Sequence, residues 1–395
     1  MEFDLSWMLL GLPLAFGMGW WASRLDLRQL RLEHRQAPRA YFKGLNYLLN
    51  EQQDQAIDAF IEAVQNDPDT SELHFALGNL FRRRGEYHRA VRVHEHLLSR
   101  ADLSRADRDR AQHALALDFL KAGLLDRAEA ALQPLEGTAF EQEARLARLA
   151  LYERTRDWPQ ATAVAALLHA SGQGDFSQRQ AHYLCEQAQA AVTQGDEARA
   201  QSYLEQAQQT APQAARPLIE RARQQHRQGQ CSAACDTLTR LARQAPAALP
   251  LAAALLQEAA SACQRLPQAQ ALLEQHYAQA PSLDLLDALV ALDHTSAAAP
   301  GRTRYAQHLA HTPSLVAAAQ WLAHERLEHE EHHPHIQRAL DQAARPLKRY
   351  RCAACGFETQ QHFWHCPGCQ SWDSYPARRV EELQARAPPP PPPTR

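Results

Sequence analysis

Cys352 and Cys355 form one C-x-x-C pair and Cys366 and Cys369 a second, with ten residues between the pairs. A two-residue spacer lets both sulfurs of a pair point at one centre while backbone N–H groups turn toward them. Four thiolates gathered this way suit zinc or iron. The gap is shorter than the common spacing of about fifteen to twenty residues, yet long enough for a hairpin to fold back. A single C-x-x-C would leave a redox disulfide open; two pairs in so short a stretch argue for a metal. Cys185, Cys231, Cys235 and Cys263 stand singly or at helical spacing among alanines and read as small apolar residues of a core. One other stretch has metal-binding form. His329-Glu330-Glu331-His332-His333 fits the H-E-x-x-H template of zinc proteases, but Pro334 follows at once and reads as a helix stop. The histidines are therefore placed on a last turn of helix in a chain of 20 histidines, and no catalytic residue is assigned.

The elements that carry these cysteines are helical. The 395 residues are rich in Ala, Leu, Gln, Arg and Glu and poor in Gly and aromatics. Net charge is −3 with acidic and basic residues interleaved, which speaks against nucleic acid as a partner. Gly172-Gln173-Gly174 opens a dinucleotide-like pattern, but Ser177 holds the place of the third glycine. Gly44 and Gly78 are 34 residues apart, as are Ala56 and Ala90, which is the tetratricopeptide period. Later units keep phase through Ala128, Ala161, Ala200, Ala234 and Ala269, so seven units are legible. The wider spacing before Ala128 predicts a longer linker near 102–107. Beyond Pro281, segments 283–292 and 315–327 predict further helices that cap the array. In this pattern the first helix of each unit lines a concave face suited to a peptide or protein. In the second unit that register nominates Phe75, Asn79, Arg82 and Arg83 as a partner groove.

Residues 5–23 are a run of uncharged, mostly apolar residues that would span about 28 Å as a helix, close to the hydrocarbon thickness of a bilayer. Trp7, Trp20 and Trp21 sit at its ends, and Arg24, Arg28, Arg31, Arg35 and Arg39 follow, which predicts a single span with the rest of the chain in the cytoplasm. A reducing cytoplasm would keep the thiols available to metal. Gly11, Ala15 and Gly19 recur every four residues and predict a smooth strip for a partner helix, a second copy included. The expected organisation is thus an anchor at 1–23, a basic linker at 24–36, an all-α solenoid at 37–345, a metal domain at 346–378 and a disordered tail at 379–395 that ends in six consecutive prolines.

Taken together, this architecture resembles the lipopolysaccharide assembly protein B family of Gram-negative inner membranes. The resemblance is carried by Leu77-Gly78-Asn79-Leu80-Phe81-Arg82 with Gly85-Glu86 and Ala90, and by Tyr350-Arg351-Cys352, Cys355-Gly356-Phe357, Trp364-His365-Cys366-Pro367, Cys369 and Trp372. It implies a rubredoxin-like domain that holds iron or zinc, and an adaptor in place of a catalyst. The implied partners are the membrane protease FtsH, its substrate the deacetylase LpxC, and an inner-membrane regulator that senses lipopolysaccharide. The alternative from another class is an electron-transfer protein with a rubredoxin-like iron and a docking surface built from the repeats.

Overall fold

A computed structural model of the chain describes residues 42–66 apart from 48 and 51, then 71–295, 302–323, 325 and 331–384, together with the isolated Phe16. Gly11, Ala15 and Gly19 lie outside the described residues, as do the rest of the apolar run but for Phe16, and His329 with Glu330. Among the described residues no helix is long and apolar enough to cross a membrane.

The helices form two compact units, 1–157 and 158–395. In the first, Gln53–Asn66, Ser71–Arg83, Tyr87–Ser99, Arg105–Ala122, Leu125–Leu132 and Glu141–Thr155 follow in order. The period sets how they cross. All seven signature alanines are buried, with Ala269 the most exposed at 4%. A larger side chain there would hold the two helices of a pair apart. The matching glycines on the first helices complete the close approach: a Cβ on Gly78 would stand 2.5 Å from the His94 imidazole, and one on Gly44 would stand 3.0 Å from the Phe60 ring.

Each first helix then ends in the same way. Gly85, Gly123 and Arg156 take left-handed backbone, with φ of 82°, 77° and 59°. The next N–H in each case reaches back to the carbonyl five residues earlier: Glu86 to Phe81, Leu124 to Phe119 and Asp157 to Tyr152. Of the longer linker expected near 102–107, the second half is already helix, which begins at Arg105. Ser104 Oγ accepts from the Asp107 N–H at 3.0 Å, and the 18-residue Arg105–Ala122 helix absorbs the insertion.

The second unit continues the pairing from Trp158–Ala170 and Ser177–Thr193 through Glu197–Thr210, Ala215–Arg227, Cys231–Gln244, Ala253–Ala262, Leu266–Gln279, Leu283–Thr295, Arg302–His311 and Leu315–Ala323 to His333–Ala344. The reading of Pro334 needs correction. It lies in the first turn of the last of these helices and so marks a start, where its missing N–H costs nothing. His333 Nε2 packs 3.0 Å from the Leu322 carbonyl. Cys185 and Cys235 are buried as expected, which pushes each thiol up to about 12.

The chain closes on a two-stranded antiparallel ribbon, in which Tyr350 faces Thr359 and Arg351 faces Glu358, and then on a short helix, Val380–Gln384. That helix corrects the expected boundary of the tail. Residues 379–384 are ordered against the repeats, and 385–395 lie outside the described residues.

Candidate metal centre

Two tight turns bring the cysteines together. In the first, the Gly356 N–H donates to the Cys352 carbonyl and the Cys352 N–H to the Phe357 carbonyl, both at 2.9 Å. The second repeats this with Gln370 to Cys366 and Cys366 to Ser371, also at 2.9 Å. Left-handed backbone at Gly356 and Gln370 lets each turn close. The four sulfurs all lie within 4.8 Å of one another, with Cys352 to Cys369 at 3.8 Å and Cys355 to Cys366 at 3.7 Å. Tetrahedral ligation at the usual metal–sulfur length of about 2.3 Å requires sulfurs about 3.8 Å apart. The donor set therefore fits one thiolate-bound ion.

Neighbouring donors favour the thiolates such an ion needs. Ser374 Oγ lies 3.3 Å from Cys352 Sγ, and Ser371 Oγ lies 3.3 Å from Cys369 Sγ. Burial opposes ionisation of Cys352, but Ser374 and the backbone amides of Cys355 and Ala354 outweigh it and bring the thiol down to about 6. The Ser371 hydroxyl and amide likewise hold Cys369 low. For Cys355 the Phe357 N–H favours the thiolate, yet burial and the neighbouring sulfurs win and push it to about 12. Like charges packed this closely resist full ionisation, so complete deprotonation calls for a cation among them.

The ribbon has little core of its own. Its buried cluster is Tyr350, Cys352, Cys366 and Tyr375, with Leu251 from the repeats packed against it. What seats it is a set of contacts to the first helices of the second unit. Trp372 stacks on His182 with ring centroids 5.0 Å apart and meets Tyr183 edge-on at 5.6 Å. Both carboxylate oxygens of Asp373 lie 2.9 Å from His182 Nε2. Further along, Arg379 holds Asp284 at 2.6 Å and lies 4.1 Å over the Tyr350 ring, whose hydroxyl donates to Asp284 at 3.2 Å.

Glu381 and Glu382 then act as caps supplied from a distance. Glu381 accepts from the Leu315 N–H at 2.5 Å and from Ser314 Oγ at 2.7 Å. Glu382 accepts from the Leu283 N–H at 2.9 Å. Each carboxylate meets free N–H groups at the positive end of a helix dipole. Of these residues the sequence motifs include only Tyr350 and Trp372, and they give neither one a docking role. The one local signal was the acidic pair at 381–382 after a charged stretch, and it does not name the helices it caps.

Burial pushes the Asp373 carboxyl up, but the bonds to His182 and Gln178 outweigh it and hold the group below the usual aspartate range. Its contribution is therefore present at neutral pH and fades as the solution becomes more acid than about pH 4. With the carboxylate 36% exposed, Asp373→Asn is expected to weaken ribbon docking by about 1 kcal/mol at pH 7. Hydrogen exchange of the ribbon amides reads this, and unchanged protection would rule the contact out as a tether.

The predicted groove residues have mixed fates. Phe75 is no contact residue. It is 1% exposed and covered by the Arg110 guanidinium, 4.0 Å above its ring, because the neighbouring first helix leans over it. Arg82 also faces inward. It donates to Asp118 at 2.9 Å, to the Ala114 carbonyl at 3.1 Å and to Asn79 Oδ1 at 2.5 Å. Asp118 in turn lies 2.5 Å from His94 Nδ1, so Asn79 and Arg82 belong to a buried network that joins two repeats. Arg83 alone of the four is exposed.

Comparison with known proteins agrees with this division. A rubredoxin metal binding domain model matches residues 350–375, and a tetratricopeptide repeat model matches 181–213, the register that Ala200 sets. Lipopolysaccharide assembly protein B of Escherichia coli is 30% identical over 391 residues, covering 96% of this chain and 100% of that protein. Its Haemophilus influenzae counterpart is 24% identical over 384 residues, with 93% and 96% covered. Among solved structures, a tetratricopeptide repeat protein from Parabacteroides merdae aligns with 65% of this chain and 98% of its own at 14% identity, with a TM-score of 0.33.

Proposed function

Because the chain belongs to the lipopolysaccharide assembly protein B family, we propose that it is a non-catalytic adaptor of the inner membrane that presents the deacetylase LpxC to the protease FtsH. The observation that carries this reading is the reach of the likeness. It covers 96% of this chain and 100% of the Escherichia coli protein, and within the chain a repeat model and a rubredoxin metal binding domain model each find their match. In this reading residues 5–23 cross the bilayer once and leave the repeats on the cytoplasmic side. Gly11, Ala15 and Gly19 then offer a strip to another membrane helix, either a lipopolysaccharide-sensing regulator or a second copy.

Tethering supplies the mechanism. A client bound to a surface that is itself fixed at the membrane meets a membrane protease at an effective concentration that short flexible links raise to about the millimolar range. The metal, iron or zinc, supplies structure here. Cys352, Cys355, Cys366 and Cys369 hold it, and the fold of the ribbon depends on it. Deleting the gene in its own host is expected to lengthen the half-life of the deacetylase several-fold, followed by immunoblot after synthesis is blocked. An unchanged half-life would sink the adaptor reading.

A further inference from the structure

The first helices of the two units differ in what they leave open. In the second unit this face carries the ribbon and its closing helix: Trp372 and Asp373 rest on Ser177–Thr193, Arg379 on Leu283–Thr295, and Glu381 on Leu315–Ala323. The surface that a repeat array offers to an extended peptide is there taken by the chain itself.

In the first unit the corresponding face presents a row of cations. Arg83, Lys121 and Arg154 are exposed, and each stands two residues before the left-handed residue that ends its helix, namely Gly85, Gly123 and Arg156. One turn back from the last two are Leu117, half-buried, and Ala150, exposed; two turns back from Arg154 is Leu146, 44% exposed. On the last two helices the face is thus an apolar strip with a cation at its edge, and one turn back from Arg83 stands the half-buried Asn79. Among the described residues Arg83 and Lys121 have no ion pair, and Arg154 makes only a long bond, 3.5 Å, to the Leu120 carbonyl. That bond also sets Arg154 beside the end of the helix that carries Lys121.

Cations at helix C-termini are favoured by the dipole alone, which would explain the row without a partner. The second unit argues against that explanation. Its first helices close in the same left-handed way at Gly195, Gly229 and Gln264, and the residues two before these are Thr193, Arg227 and Ala262. A dipole effect would populate both units alike.

We infer that the client docks on the first-helix face of residues 71–155 through a segment whose apolar side chains meet Leu117, Leu146 and Ala150 and whose carboxylates meet Arg83, Lys121 and Arg154. This deepens the adaptor reading and rests on it. Charge complementarity selects the occupant: a row of unpaired cations beside exposed leucine suits an acidic, amphipathic segment of protein.

The test uses the full-length, membrane-anchored chain in place of the endogenous protein. Arg83→Glu, Lys121→Glu and Arg154→Glu together are expected to weaken client binding roughly tenfold, from three rim contacts each worth a factor of a few. Most of the half-life lengthening seen on deletion should follow. Because three reversals could disturb folding, the same positions as Gln are made in parallel, with thermal melting as the check and Arg227→Glu as the second-unit control. If deletion lengthens the half-life but both triple variants and the control behave as wild type, the docking face is wrong and the adaptor reading stands. If deletion itself has no effect, both fail. If the triple variants degrade the deacetylase normally but lose binding to phosphatidylglycerol vesicles, the row meets lipid headgroups and the client assignment is overturned.

Discussion

Serine in place of Cys352 and Cys366 is expected to unfold the ribbon and to loosen helices that contain no cysteine ligand. These are the two buried ligands, at 1% and 0% exposure, and they make up half of the ribbon's own buried cluster. So short a segment cannot bury enough apolar surface to fold alone, whereas a structural tetrathiolate ion contributes on the order of 10 kcal/mol. The loss should travel. Once the ribbon opens, Arg379, Glu381 and Glu382 are no longer positioned, and the first turns of Leu283–Thr295 and Leu315–Ala323 lose caps worth about 1 kcal/mol each. Hydrogen exchange on the full-length chain should show full loss of protection over 350–384 and a partial, local loss at the starts of those two helices. Chelation of the wild-type chain should give the same pattern. Native-like protection of the ribbon after substitution or chelation would mean that the ion is not what holds it.

The reason part of this arrangement is legible in sequence lies in distance along the chain. The cysteine pairs act within one short ribbon, and the signature alanines and close-approach glycines within one repeat, where spacing alone fixes geometry. The seating of the ribbon depends on pairs such as Asp373 with His182, 191 residues apart, and Arg379 with Asp284, 95 apart, which no local pattern encodes. By register alone Phe75 belongs to the groove. What register omits is the neighbour, and Arg110 from the next first helix covers the ring. Pro334 misled for a related reason: the same residue ends one helix or begins the next, and only the course of the following residues decides. The basic row at Arg83, Lys121 and Arg154 falls between these cases. Its three members are visible in sequence, but their common position becomes plain only once the left-handed ends at Gly85, Gly123 and Arg156 are known.

The buried network of the first unit carries the second large expected effect. Asp118 and His94 are both 0% exposed, and the Arg82 side chain is 19% exposed. Asp118→Ala leaves the guanidinium without its counter-charge and the imidazole without its acceptor, and an uncompensated buried charge costs about 3–5 kcal/mol. His94 has little room to move away, since its ring already rests against Gly78. Hydrogen exchange across 71–122 should therefore rise together in Ser71–Arg83, Tyr87–Ser99 and Arg105–Ala122, while the ribbon stays protected. Removing the guanidinium and the imidazole as well, as Arg82→Met and His94→Leu with Asp118→Leu, should recover most of the loss, because a buried ionic network replaced whole by apolar groups of similar volume is often neutral. Recovery would make Arg82 a positioning residue that joins two repeats. If the single substitution costs less than about 1 kcal/mol, the network does not hold the first unit together, and Asn79 and Arg82 return to candidacy as partner contacts.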